Sequence, residues 1–317
     1  MTRGGQSLGT KELDSAALQR AFKEALGGQS KPLDDLFTRY GGLPGRPNAK
    51  LAAGFAAEVS GSAQPANVLK LLTRLTNDDA DAETQRSFLP VAAAYGWCAL
   101  LTGDKPRKSA DIETAWIALA QLAIDPRLPI RLGTVDALVA LCMHPGSGEI
   151  LIQRAVGWLE DESDREARFG GAAAVVAVLG NAQVVAVVRD YEAMLSYISR
   201  VIAAIADAPR AAERSEARRR AVRMVPDALC TAMSRMARVS GERGEQWLTR
   251  ECEIASQPQV REALSEVIVR LSKDTQGVGR AATERMRKTL EASAAPLRDG
   301  VFIRPGTGRG KSTRKIR

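Results

Sequence analysis

The sequence predicts an all-α protein, and three observations carry that prediction. Apolar residues make up 45% of the chain and aromatic residues only 4%. Alanine and leucine supply most of the apolar share, which suits close helix–helix packing better than β-strands. From Lys11 onward, apolar residues recur at three- and four-residue steps, and Gly, Pro or Asp clusters interrupt them at short intervals. That is the rhythm of helix after helix joined by tight turns. Finally, one short pattern returns several times along the chain, as a series of equal helical units requires.

Taken in order, the periodicity predicts helices over 12–26 and 33–40, then a turn-rich break, GGLPGRPN from Gly41 to Asn48, where Asn48 is placed to cap the next helix. That helix covers 48–60 and is stopped by EVSGSAQP, Glu58 to Pro65; another covers 66–76. The acidic run NDDADAE, Asn77 to Glu83, precedes a helix over 84–102; helices over 111–124 and 130–143 then lead to MHPG, a helix end holding His144. A helix over 148–162 runs into a second acidic stretch, EDESDRE from Glu160 to Glu166, with helices over 164–179, 184–207, 212–239, 243–256, 259–273 and 278–294 beyond it. Carboxylates crowded at a helix start are stabilised by the helix dipole, so capping and solubility account for both acidic runs.

The recurring pattern is an apolar residue, an arginine, then small and apolar residues at helical spacing. PIRLGTVDALVAL places Ile130, Arg131, Thr134, Ala137, Leu138 and Leu141; EARFGGAAAVVAVL places Ala167, Arg168, Gly171, Ala174, Val175 and Val178. QVREALSEVIVRL places Val260, Arg261, Leu264, Val267, Ile268 and Leu271. Weaker copies begin at Ala217–Arg218 and at Gln85–Arg86, so the arginines stand at 86, 131, 168, 218 and 261, with spacings of 45, 37, 50 and 43. Each such unit has an apolar stripe wider than its own partner helix covers, and it becomes stable only when a neighbour stacks on it.

This pattern resembles the second helix of a HEAT repeat. The resemblance covers most of Asn77 to Lys273 and is strongest over Ile112 to Leu179. It implies a right-handed α-solenoid of stacked HEAT-like helical pairs. The expected organisation is a flexible start (1–11), a helical cap region (12–76), the repeat array (77–295) and a flexible basic tail (296–317). The resemblance also implies an acidic residue six positions before each arginine, tying one turn to the next. Asp125 and Glu162 meet that for Arg131 and Arg168, whereas Ala80, Ala212 and Ala255 stand at the matching places before Arg86, Arg218 and Arg261.

Formal net charge is +8, and the last twenty residues hold seven Arg or Lys against Asp299, so the surplus belongs mostly to the tail. Within that tail, RPGTGRGKST imitates a phosphate-binding loop. The first glycine position, however, is Pro305, which offers no N–H, and only Thr313 to Arg317 remain after the motif, too few for the helix such a loop needs. A basic tail is the reading retained. Four dispersed cysteines (Cys98, Cys142, Cys230 and Cys252) read as buried free thiols of a reducing compartment. The start lacks the apolar core of a signal peptide, and no apolar run reaches the roughly twenty residues of a membrane span. A cytoplasmic protein with no membrane span is expected.

Little in the chain points to catalysis. His144 is the single histidine and has no second ligand nearby in sequence, so neither a zinc site nor any other cofactor is expected. No Gly-x-Ser-x-Gly elbow supports a hydrolase. The strongest candidate surface is basic: PRAAERSEARRRAVR holds Arg210, Arg214, Arg218, Arg219, Arg220 and Arg223, continued by Arg235 and Arg238, with Arg309, Lys311, Arg314, Lys315 and Arg317 in the tail. On the concave side of a curved array, such a ridge would contact phosphates. It invites comparison with the HEAT-like DNA glycosylases that excise alkylated bases, whose groove carries aromatic residues and a catalytic carboxylate. Here Trp116, Trp158 and Trp247 fall on predicted first helices away from the basic stretch, so the likeness is to the scaffold alone. The expectation is therefore a non-enzymatic scaffold or adaptor that binds a protein partner through its concave surface, with a nucleic-acid-binding array as the alternative.

Overall fold

Fifteen α-helices account for most of the residues that the computed structural model describes, namely 15–43, 46–103, 107–160, 165–207, 216–273 and 278–293. They are α1 (Ser15–Leu26), α2 (Lys31–Tyr40), α3 (Ala49–Gly61), α4 (Pro65–Thr76), α5 (Phe88–Thr102), α6 (Ser109–Ala123) and α7 (Leu128–Cys142). After these come α8 (Ser147–Glu160), α9 (Arg165–Leu179), α10 (Ala182–Val187), α11 (Tyr191–Asp207) and α12 (Glu216–Val239), then α13 (Glu242–Ile254), α14 (Pro258–Ser272) and α15 (Arg280–Ala292). The protein is all-α. The only strands among the described residues are β1 (Gly42–Leu43) and β2 (Arg46–Pro47), a two-residue antiparallel pairing inside the expected turn-rich break.

Local chemistry sets most of the boundaries. Proline opens α2, α4, α7 and α14, where a missing N–H costs nothing and a fixed φ is already helical. Asn48 caps α3 as expected: its side-chain oxygen accepts from the Leu51 N–H at 3.1 Å, and its Nδ2 donates to the Tyr40 carbonyl at 3.0 Å. One expectation fails. The apolar run read as a single helix over 184–207 is two, α10 and α11, because Asp190 caps a new start by accepting from the Ala193 N–H at 2.9 Å. The break seats buried Val188 against Gly148, where any Cβ would lie 2.5 Å from a Val188 methyl.

Packing follows chain order. Helix α5 packs on α3 and α7, α9 packs on α7 and α12, and α12 packs on α14. The remaining helices lean on this row: α6 on α5 and α7, α8 on α9, α13 on α12, and α15 on α13 and α14. Every residue of α5 from Phe88 to Leu100 is buried, which explains why its sequence has no polar face. Glycine permits the closest approaches in this row. A Cβ on Gly133 of α7 would stand 2.6 Å from both methyls of Val91 on α5, and one on Gly96 would meet Leu72 at 2.5 Å. The N-terminal helices are joined to α5 by edge-to-face rings, Phe37 lying 5.2 Å from Phe55 and 5.4 Å from Phe88.

Two of the repeat arginines, Arg131 and Arg261, tie turns together through the backbone, whereas Arg86 pairs with the Asp78 carboxylate at 2.8 Å. Arg131 donates to the carbonyl of Asp125 at 2.7 Å, and Arg261 donates to the carbonyl of Ala255 at 3.1 Å. Both carbonyls lie six residues before the arginine, and alanine serves as well as aspartate because no side chain there is used. The Asp125 carboxylate is held by Arg127, which also reaches back to the carbonyls of Asp78 at 2.7 Å and Ala80 at 2.8 Å. Arg261 bridges forward to Ser293 Oγ at 2.7 Å and to the Leu290 carbonyl. Glu162, the acid expected before Arg168, lies outside the described residues.

Candidate functional site

Helices α11 and α13 diverge enough to leave a groove of about 900 Å³ between them, closed at one end by the turn into α14. The α13 wall is built by helical spacing. Arg243, Trp247 and Glu251 succeed one another at four-residue steps, so they share one face, with Arg250 and Ile254 beside them. From the α11 wall, Ser199 faces this row and connects to it.

Three side chains form a directed hydrogen-bond chain. The Trp247 indole N–H donates to Ser199 Oγ at 2.8 Å, and Ser199 Oγ stands 2.5 Å from Glu251 Oε1. An indole nitrogen only donates, so the serine must accept from it and direct its own hydrogen at the glutamate. Glu251 Oε1 is thereby occupied. Its Oε2 is buried with no hydrogen-bond partner, although the residue as a whole is only 3% exposed. Burial pushes the Glu251 carboxyl above the ordinary carboxylate range, while the Ser199 hydrogen bond and the charge of Arg250 pull in the opposite direction. Ser240 Oγ, also lining the groove, is a second buried oxygen without a partner.

The rest of the lining is apolar or cationic. Ile254 is 63% exposed at the rim, and Trp247 is half-buried. Arg200 is committed to Glu160 at 2.9 Å, but Arg243 and Arg250, both exposed, form no hydrogen bond or ion pair among the described residues. Behind the wall, burial pushes the Cys252 thiol up to about 12, so it stays protonated and unreactive.

Of the arginines singled out from the sequence as a candidate surface, only Arg235 and Arg238 have described side chains. Arg210 and Arg214 lie outside the described residues, as do Arg309, Lys311, Arg314, Lys315 and Arg317 of the tail. Arg218, Arg219, Arg220 and Arg223 belong to α12, with side chains outside the described set. Arg235 is half-buried and donates to the carbonyl of Gly180, just past the end of α9, where it caps a helix. Arg238 is exposed in the last turn of α12. Of the two whose side chains are described, Arg235 and Arg238, neither lines the α11–α13 groove.

Sequence reasoning missed Ser199 and Glu251 altogether. The signal on α13 was present: an arginine, a tryptophan and a glutamate at four-residue steps on one helix. Ser199 carries no such mark, because it is joined to them across 48 and 52 residues of chain. Among the described residues, no group of three or more His, Cys, Asp or Glu is placed to hold a metal ion, and no helix is long and apolar enough to cross a membrane. Set against protein-family models, curated proteins and solved structures, the chain matches none of them.

Proposed function

We propose that the chain is a non-enzymatic scaffold, a right-handed α-solenoid of HEAT-like helical pairs, that holds a protein partner in the groove between α11 and α13. The observation that carries this reading is the α13 wall: a buried carboxyl oxygen without a partner, a half-buried indole, an exposed isoleucine and two arginines unpaired among the described residues, all on one helix. A recognition surface needs this mixture, apolar anchors for affinity and a few placed polar groups for orientation. From Glu192 to Ala203 the α11 wall rises about 17 Å, the length of three turns of a docked helix or a short extended segment. The Ser199 hydroxyl is spent between Trp247 and Glu251, which makes it a structural strut of the wall instead of a nucleophile.

The stacked-pair reading draws on the order of packing, in which α5, α7, α9, α12 and α14 each lie on the next. In an array of that kind, contacts stay between neighbours and pieces of it fold alone. The four buried free cysteines favour a reducing compartment such as the cytoplasm.

Two measurements test the proposal. A chain ending at Ser240 is expected to stay helical and to melt cooperatively; a largely unfolded product counts against stacked pairs. For the binding surface, a photo-cross-linking residue at position 254 is expected to capture a protein in cells, and one at position 117, exposed on α6, is not. Capture that nuclease treatment removes would reassign the groove to nucleic acid, and equal capture at both positions would remove it as a site.

A further inference from the structure

A ladder of ion pairs runs along α6, α8, α11, α13 and α15, and it is interrupted at this groove. At three seams an arginine of the later helix takes a glutamate of the earlier one: Arg154 with Glu113 at 2.8 Å, Arg200 with Glu160 at 2.9 Å, and Arg285 with Glu245 at 2.6 Å. The partners stand 41, 40 and 40 residues apart along the chain. The seam between α11 and α13 has the arginines without the acid. Arg243 and Arg250 line it, both are exposed, and neither forms a hydrogen bond or ion pair among the described residues. Opposite them α11 presents Ser196, Ser199 and Ala203, three small side chains on one face. Among the described residues, Glu192 is the only acid lining the groove from that side.

Spacing on α13 describes what fills that gap. Arg243, Trp247, Arg250 and Ile254 follow one another at steps of four, three and four residues, so they form one stripe, with the two arginines about 10 Å apart along the axis. A guanidinium pairs best with a carboxylate. Trp247, half-buried, stands between the arginines and exposed Ile254 beyond them, so charge alternates with apolar surface. An amphipathic helix lying along α13 repeats this period, and the small side chains of α11 let it approach closely. A phosphate strand matches less well, because exposed Glu242 and Glu253 on the neighbouring stripe of the same helix repel a uniformly charged polyanion. Resting on the reading of this groove as a protein-binding surface, we propose that its occupant is an acidic amphipathic helix of the partner. Two carboxylates seven residues apart pair with Arg243 and Arg250, an apolar side chain between them lies on Trp247, and another one turn further covers Ile254.

The test pans a displayed library of random twelve-residue peptides against the full chain and titrates the recovered sequences by calorimetry at low salt. Enriched sequences are expected to carry Asp or Glu seven positions apart, with an apolar residue three or four positions after the first. Arg243→Glu and Arg250→Glu, at exposed positions that leave the core untouched, are each expected to weaken the best peptide about 10-fold. Glutamine at both acidic positions of the peptide is expected to weaken it by a similar factor, and added salt to weaken it further. Lys70→Glu, exposed on α4, makes the same change in net charge and is expected to leave binding unchanged. Neutral or basic sequences whose binding Ile254→Glu weakens would sink the acidic assignment alone and leave the groove as a partner surface. Peptides indifferent to Arg243→Glu, Arg250→Glu and Ile254→Glu, or equally weakened by Lys70→Glu, overturn the proposal, as does a library that yields no enriched sequence. A twelve-residue oligothymidylate that binds with Arg243→Glu and Arg250→Glu sensitivity while no peptide does overturns it in favour of nucleic acid.

Discussion

The seam between α5 and α7 and the seam between α11 and α13 show two outcomes of laying helices side by side. At the first, glycine meets valine: Gly133 admits the methyls of Val91, and Trp97 of α5 and Leu138 of α7 are almost fully buried. At the second, larger polar residues face each other, a groove of about 900 Å³ opens, and a carboxyl oxygen is left buried without a partner. A closed seam is optimised for stability, since dense packing of small against branched residues maximises dispersion and excludes water. An unsatisfied buried oxygen costs about 1–3 kcal/mol. The open seam is therefore the less tightly packed of the two.

Four substitutions break or sharpen that contrast. The largest effect belongs to Leu138→Asp, which buries an unpaired charge at a fully buried position of α7, one of the two helices of the closed seam. It is expected to cost more than about 4 kcal/mol and to abolish or broaden the thermal transition followed by circular dichroism. An unchanged melt would break the idea that this seam organises its neighbours.

Gly133→Ala comes next. A methyl there collides with Val91, so a loss of about 1–3 kcal/mol is expected in denaturant melts. Adding Val91→Ala should recover much of it, because the two sites share one contact. If the double variant is as unstable as the sum of the singles, the close approach is not what glycine provides there.

Arg261→Met removes donors to the carbonyls of Ala255 and Leu290 and to Ser293 Oγ. A loss of about 1.5–3 kcal/mol is expected, with faster amide exchange in α15 than in α5. Uniform acceleration throughout the chain would deny that the arginine ties only neighbouring turns.

The smallest expected effect lies at the open seam and has the opposite sign. Burial raises the Glu251 carboxyl above its unfolded value, so its contribution to stability is fully present at low pH and is lost as pH rises through the raised value. Glu251→Gln keeps the Ser199 bond and carries no charge. It is therefore expected to be slightly more stable than the native chain near neutral pH, by up to about 1 kcal/mol, with the difference vanishing as pH falls below the ordinary carboxylate range. A variant that is less stable at neutral pH would mean that the ionised carboxyl is held by groups not identified in the groove.

Much of the helix order was legible along the chain, because apolar spacing, proline and capping residues act within a few positions of themselves. Asn48 at the start of α3 and the prolines that open α4 and α14 are examples. The break between α10 and α11 was harder to read. Asp190 is a local cap, but the reason for a turn there is Val188 seating on Gly148, forty residues away. The arginine pattern was legible as a pattern and misread as chemistry. At Arg131 and Arg261 the bonds go to backbone carbonyls, which every residue possesses, so no acid at the sixth preceding position was needed; at Arg86 the acid is Asp78, eight positions before it.

By itself, then, the sequence determined that this protein is all-α, roughly where each helix begins, and which residues face inward. These are consequences of short-range sterics and of apolar periodicity. Only the tertiary structure decided that Arg235 would cap α9, that Trp247, Ser199 and Glu251 would meet, and that α11 and α13 would stand apart. The physical reason is separation along the chain: a hydrogen bond across 52 residues exists only once the helices between its ends have packed.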